Sequence, residues 1–259
     1  MRDNYQEYMR TFKQNIVYKA LKCFVFLYLI ELFAIDANAQ TSQDGLGSWN
    51  ILNARLRMTQ TWSTFFEGQI RSIGFYTNYH YYEYKAGATY RIGNNFALSG
   101  SVGKYVTFQE TGNFENPKQQ DETRTWLQVA MNNQLGRVRF EHRYRAEQRF
   151  TMSGYRNRFR YRLGILCPIN NTKIEPGTFY LSINDEIFFT DKEPYFERNR
   201  LFLGVGYEYS PTVAFQIGYL NQFDYNLTDE TGRDFLQISL LLNIDYKHLS
   251  NSFIPNSMN

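Results

Sequence analysis

The stretch Tyr155–Gly164, YRNRFRYRLG, places arginine at 156, 158, 160 and 162 and sets Asn157, Phe159, Tyr161 and Leu163 between them. Alternation with period two is the mark of a β-strand, whose successive side chains point to opposite faces. On a helix the same four arginines would scatter around the cylinder. One face of this strand is therefore lined with guanidinium groups, and the other is mostly aromatic and apolar. The preceding segment repeats the pattern, with Arg139, Glu141, Arg143, Arg145, Glu147 and Arg149 on one parity and Val138, Phe140 and Tyr144 on the other. A turn near 152–153 would fold the two into a hairpin whose polar face carries eight Arg and two Glu.

The same period runs through the rest of the chain. Alternating segments are expected at 49–58, 62–73, 79–91, 96–109, 123–134, 138–151, 155–167, 178–189, 197–209, 213–225 and 234–246, separated by turn-forming stretches such as IGNN at 92, MSG at 152 and SPT at 210. Their apolar parity collects Leu127, Val129, Leu201, Leu203, Phe215, Ile217, Leu236, Ile238 and Leu240, while the polar parity adds Glu186, Arg198 and Arg200. Aromatic content of 18%, from 21 Tyr, 22 Phe and 3 Trp, suits pleated strands. A net charge of +3 is too balanced to argue for nucleic acid.

Residues 1–39 are expected to be a signal peptide. Arg10, Lys13, Lys19 and Lys22 precede the apolar run CFVFLYLIELFAI, and Ala37-Asn38-Ala39 before Gln40 is a small-x-small cleavage pattern. Met9 is an alternative start. As a membrane anchor the run is short and carries Glu31. Cleavage would leave Cys167 as the single cysteine, which gives neither an internal disulfide nor a Cys-based metal site. The expected organisation is a signal peptide (1–39), an N-terminal segment (40–48), a barrel (49–246) and a C-terminal tail (247–259).

Alternation alone does not choose the solvent, because a soluble ligand-binding barrel also alternates, with its apolar side inside. Three features favour the inverse arrangement. Residues 40–259 contain 17 Arg against 6 Lys, and the planar guanidinium suits enclosed hydrogen-bond networks better than a water-facing surface requires. The strands are uniformly long. Aromatics gather toward strand ends (Trp49, Trp62, Tyr79, Tyr81, Tyr82, Tyr209, Tyr225 and Tyr246), as interfacial girdles do. The expected fold is an all-β, transmembrane, up-and-down antiparallel β-barrel with a polar Arg/Glu-lined lumen, in the outer membrane of a Gram-negative bacterium. Eleven segments are visible, but single-chain bacterial barrels have even strand numbers, so ten or twelve strands are expected.

The blocks EHRYRAEQRF (141–150), RNRFRYRLGILCPI (156–169), NDEIFF (184–189), ERNRLFLGVGYEY (197–209) and FQIGYLNQF (215–223) resemble successive blocks of an uncharacterised outer-membrane family, domain of unknown function 2490. The resemblance covers nearly all of the chain after residue 47. It implies a location and a barrel-type fold, and no activity.

The candidate site is the lumenal charge network of Arg139, Glu141, Arg143, Arg145, Glu147, Arg149, Arg156, Arg158, Arg160, Arg162, Glu186, Arg198 and Arg200. Charges so close in a narrow lumen need compensation, and Glu67, Glu83, Glu186, Glu208 and Asp245 are the expected partners across it. The same residues serve a salt-bridged plug or a path for a small anionic solute. Catalytic residues are not expected. His142 falls on the apolar parity, opposite Ala130 and Leu163, with no serine in reach; His80 starts a strand among tyrosines, and His248 lies in the tail. No metal-ligand, P-loop or dinucleotide motif is present, and no cofactor is expected. Expected partners are outer-membrane lipid and, during biogenesis, the barrel-assembly machinery. The alternatives are a membrane-embedded enzyme acting on lipid or envelope polymer, and a soluble exported barrel holding an apolar ligand.

Overall fold

In the computed structural model residues 45–225 and 231–246 are described. The expected signal peptide, the N-terminal segment up to residue 44 and the tail with His248 lie outside them. Eleven strands follow one another: β1 (Leu46–Arg57), β2 (Trp62–Gly74), β3 (Thr77–Ile92), β4 (Phe96–Thr107), β5 (Gln120–Leu135), β6 (Val138–Thr151), β7 (Gly154–Pro168), β8 (Thr178–Thr190), β9 (Phe196–Glu208), β10 (Val213–Asp224) and β11 (Thr231–Asp245). Each pairs antiparallel with the next, and β1 closes the barrel against β11.

The expected count of ten or twelve is corrected to eleven, and the closure supplies the physical reason. β1 and β11 run parallel, in register from Leu46↔Asp234 to Arg57↔Asp245. An all-antiparallel ring needs an even number of strands; one parallel seam removes that requirement. The seam is packed from within. Trp49 meets Phe235 edge to face with ring centroids 5.5 Å apart, and Phe202 and Leu220 complete the buried cluster. Gly47 lies beneath the Phe235 ring, where a Cβ would come within 2.8 Å of it. Trp49 and Tyr81, expected in an aromatic girdle, are therefore lumenal; both are buried.

The faces divide as the period-two pattern requires. From β1 to β10 in turn, Leu52, Phe66, Tyr84, Val102, Leu127, Tyr144, Phe159, Phe179, Leu203 and Ile217 are all exposed on the outer wall. The inner parity carries the charges. On β9 and β10 the inner parity also has paired glycines, Gly204 opposite Gly218, with the Phe202 ring lying against them. A Cβ on Gly204 would stand 2.5 Å from that ring and 2.6 Å from the Ile217 carbonyl.

Two predictions follow from this architecture. In a Cys167→Ser background, the pair Leu52→Cys/Leu240→Cys should form a disulfide across the seam, seen as a mobility change between reducing and non-reducing gels, whereas Leu52→Cys/Leu236→Cys should not. Gly204→Val should lower stability by about 1–3 kcal/mol through overpacking, measured by thermal or denaturant unfolding.

Candidate functional site

The barrel encloses a cavity of about 1720 Å³. Its lining runs from Thr59, Thr61 and Thr212 at one rim to Glu110, Tyr225 and Arg233 at the other. Of the seventeen arginines between residues 45 and 246, sixteen line this cavity; Arg137, in the β5–β6 turn, is the exception. Of the five lysines there, only Lys85 does. Twelve of the thirteen residues of the expected network line the cavity, and the thirteenth, Glu147, is sealed behind them with its carboxylate fully buried.

β6 and β7 set their arginines face to face: Arg143 opposite Arg162, Arg145 opposite Arg160 and Arg149 opposite Arg156. On β5, Arg124 also stands opposite Arg149. Carboxylates from several strands hold these like charges together. The Glu147 carboxylate accepts from Arg158 at 2.6 and 2.9 Å and from Arg160 at 2.6 Å, with Arg145 at 3.6 Å. Glu186 accepts from Arg143 at 2.7 Å and from Arg160 at 2.8 Å. Glu122 accepts from Arg124 at 2.7 Å and from Arg149 at 2.6 Å. Glu197 lies 3.3 Å from Arg149 and 3.2 Å from Arg158, and Glu141 accepts from Arg162 at 2.5 Å. Arg198 pairs with Asp224, and Arg200 donates to Gln222 at 2.9 Å.

A second group lies on β2 and β3. Lys85 bridges Glu67 at 2.6 Å and Glu83 at 2.8 Å; Glu83 also meets Arg71 at 3.3 Å and accepts from the Tyr81 hydroxyl. Flat aromatic surfaces support the guanidinium groups. Arg71 is sandwiched between Trp49 and Tyr81, at 3.4 and 4.0 Å from the ring centroids. Arg124 lies over Tyr105, Arg145 over Trp126 and Arg160 over Phe188, at 3.8, 3.9 and 4.5 Å. Such stacks are attractive because the ring face is electron-rich, and more so out of water.

The expected partner set changes accordingly. Glu67, Glu83 and Glu186 are paired within the lumen, and Asp245 pairs with Arg57 at 3.5 Å. Glu208 makes no ion pair among the described residues. Glu122, Glu197 and Asp224 were not foreseen. Glu122 precedes the expected strand 123–134; Glu197 and Asp224 lie within expected strands, Glu197 turning inward at the register shift between Phe188 and Phe189 and Asp224 closing the end of β10. The aromatic supports were also missed, because the sequence shows an aromatic only as an aromatic and not what lies on it.

The pairing is uneven along the barrel. At the rim where β1 ends, Arg55, Arg91 and Arg139 reach the cavity without an ion-pair partner among the described residues. On the outer wall, His142 Nδ1 is 2.9 Å from the Tyr161 hydroxyl. Its strand neighbours are Met131 and Leu163, one residue away from the expected Ala130 on the β5 side.

Removing the Glu147 carboxylate would leave Arg145 without an ion pair and take one of the two counter-charges from each of Arg158 and Arg160 in a buried site. Glu147→Ala is expected to cost about 3–5 kcal/mol, whereas Arg91→Ala, at an exposed and unpaired position, should stay within about 0.5 kcal/mol of the parent. Thermal unfolding followed by circular dichroism measures both.

No curated protein and no solved structure matches the chain. A family described as "Protein of unknown function (DUF2490)" matches residues 46–233, which takes in β1 through β10 and the start of β11. The chain, a closed β-barrel, belongs to this family of unknown function.

Proposed function

We propose that this protein is a non-enzymatic outer-membrane barrel of the Gram-negative envelope, whose salt-bridged lumen is structural over most of its length and admits small anions along a narrow path. The polarity of the two faces supports the location: arginine is gathered inside, and large apolar side chains project from the outer wall. A wall of that kind in water would be a contiguous apolar patch of a size that soluble monomers do not expose. In hydrocarbon it is matched, and a closed barrel leaves no unpaired strand edge.

The charge balance of the cavity carries the anion preference. Sixteen arginines and Lys85 line it, against eight carboxylates in the lining and ten once the buried Glu122 and Glu147 are included. Excess fixed positive charge in a narrow, low-dielectric passage draws in anions and repels cations. The unpaired Arg55, Arg91 and Arg139 at one rim are placed to collect them. A non-enzymatic role is supported by the two described histidines: His142 bonds to Tyr161 on the outer wall, and His80 is buried beside Tyr81.

Planar-bilayer recordings under a salt gradient test the proposal. The expected reversal potential has the sign of an anion-preferring pore, and exchanging Arg55, Arg91 and Arg139 together for Gln should move it toward zero. A cation-preferring pore, or selectivity unchanged by the triple exchange, would contradict the role given to these arginines. Phe159→Arg should also block membrane assembly, since a cation facing lipid at mid-depth costs about 2–4 kcal/mol. Heat-modifiable gel migration of membrane fractions reports that assembly.

A further inference from the structure

The outer wall of β6 to β9 carries a polar cluster that an apolar surface does not explain. Asp185 is the eighth of the thirteen residues of β8 and is exposed on the outside. Its outward neighbours along the strand are Ile183 and Ile187, and its partners across the register are Leu163 and Leu201. The other outward carboxylates of the described strands are differently placed. Asp121 is the second residue of β5 and is paired with Lys104 and Lys118. Asp234 is the fourth residue of β11 and accepts from Tyr219 and Asn221. Asp185 sits mid-strand and has only the Asn199 amide, 2.7 Å from Oδ1, as a hydrogen-bond donor among the described residues.

Two strands away lies a matching group. His142, Leu163 and Asp185 form one row across β6, β7 and β8. When the Tyr161 hydroxyl donates to His142 Nδ1, the imidazole proton sits on Nε2 and is left to donate elsewhere. The row thus holds a donor on β6 and a carboxylate acceptor on β8, either side of Leu163. Lipid tails offer a partner to neither, and ionisable groups in such a setting are costly unless paired.

We propose that this wall docks a second copy of the same chain. A two-fold axis parallel to the barrel axis, passing in front of β7, turns β6 of each copy toward β8 of the other. His142 of one copy then meets Asp185 of its partner twice, and the apolar side chains around them pack together. This is the self-complementary arrangement that a two-fold interface demands. The inference rests on the reading that the wall lies in an apolar medium. It does not depend on what passes through the lumen.

Cross-linking tests it in detergent micelles and in membranes of expressing cells. In a Cys167→Ser background, Leu163→Cys should give a bismaleimide-linked dimer, and Ile217→Cys, exposed on β10, should not. Asp185→Leu should reduce the dimer at least tenfold while keeping the heat-modifiable barrel. His142→Asp and Asp185→His chains should each fail to link alone and should link when mixed, because only the mixed pair places an imidazole opposite a carboxylate at both contacts. Equal linking at Leu163→Cys and Ile217→Cys, or a dimer untouched by Asp185→Leu, would overturn the proposal. A protein that stays folded in buffer without detergent would defeat the outer-membrane reading instead, and the linking pattern would still be legible there.

Discussion

Arg143 faces Arg162, Arg145 faces Arg160 and Arg149 faces Arg156 directly across one hairpin, with Arg124 facing Arg149 on the next strand. Like charges in directly opposed positions destabilise a sheet, and burial removes the water that would screen them. These strands stay paired because Glu122, Glu147, Glu186 and Glu197 each reach at least two of the guanidinium groups. The carboxylates come from β5, β6, β8 and β9, so the network joins five consecutive strands through their inner faces. Replacing such a network by packed apolar groups can be neutral or stabilising, whereas removing one member leaves an uncompensated ion. What the network specifies is register: a slip of one residue would send every arginine of a strand to the outer wall.

The remaining strands solve a different problem. Midway along the seam the inner face is apolar, filled by Trp49, Phe202, Leu220 and Phe235, with ions of β1 and β11 (Arg55, Arg57, Arg233 and Asp245) toward the two rims. Glycines at 47, 204 and 218 let those rings lie flat on the wall. Arg71 and Arg200 join the two halves: both lie over Trp49, and each is hydrogen-bonded to an acceptor on a neighbouring strand. The interior thus combines aromatic packing at the middle of the parallel seam with an ionic lattice across β5 to β9. The apolar outer wall fits the envelope location proposed here, and among the described residues the lattice leaves Arg200, held by Gln222, and the three rim arginines without an ion-pair partner.

Much of this was legible in the sequence. Period-two alternation placed all eleven strands, and the choice of Arg over Lys pointed to an enclosed polar face. Three things were hidden, each for a physical reason. The parallel seam leaves no local signal, because β1 alternates in the same way whichever direction its neighbour runs; the parity rule then argued against a count that was already correct. Trp49 and Tyr81 lie near strand ends, where a girdle ring and a lumenal ring look alike. Glu122 lies in a stretch that reads as loop, and Glu197 shares the outward parity of Leu201 and Leu203 but turns inward as the extra residue where the register shifts between Phe188 and Phe189. The thirteen expected lumenal residues point inward because the alternation runs without a register shift through the part of each strand that carries them.

The central claim is that lipid, and not water, contacts the outer wall. Nitroxide labels placed singly at residues 236 to 242 of β11 in reconstituted bilayers, read by power saturation against oxygen and a water-soluble nickel complex, test it most directly. The account predicts oxygen maxima at 236, 238, 240 and 242 and nickel maxima at 237, 239 and 241. The opposite phase, or no period-two variation at all, would contradict it.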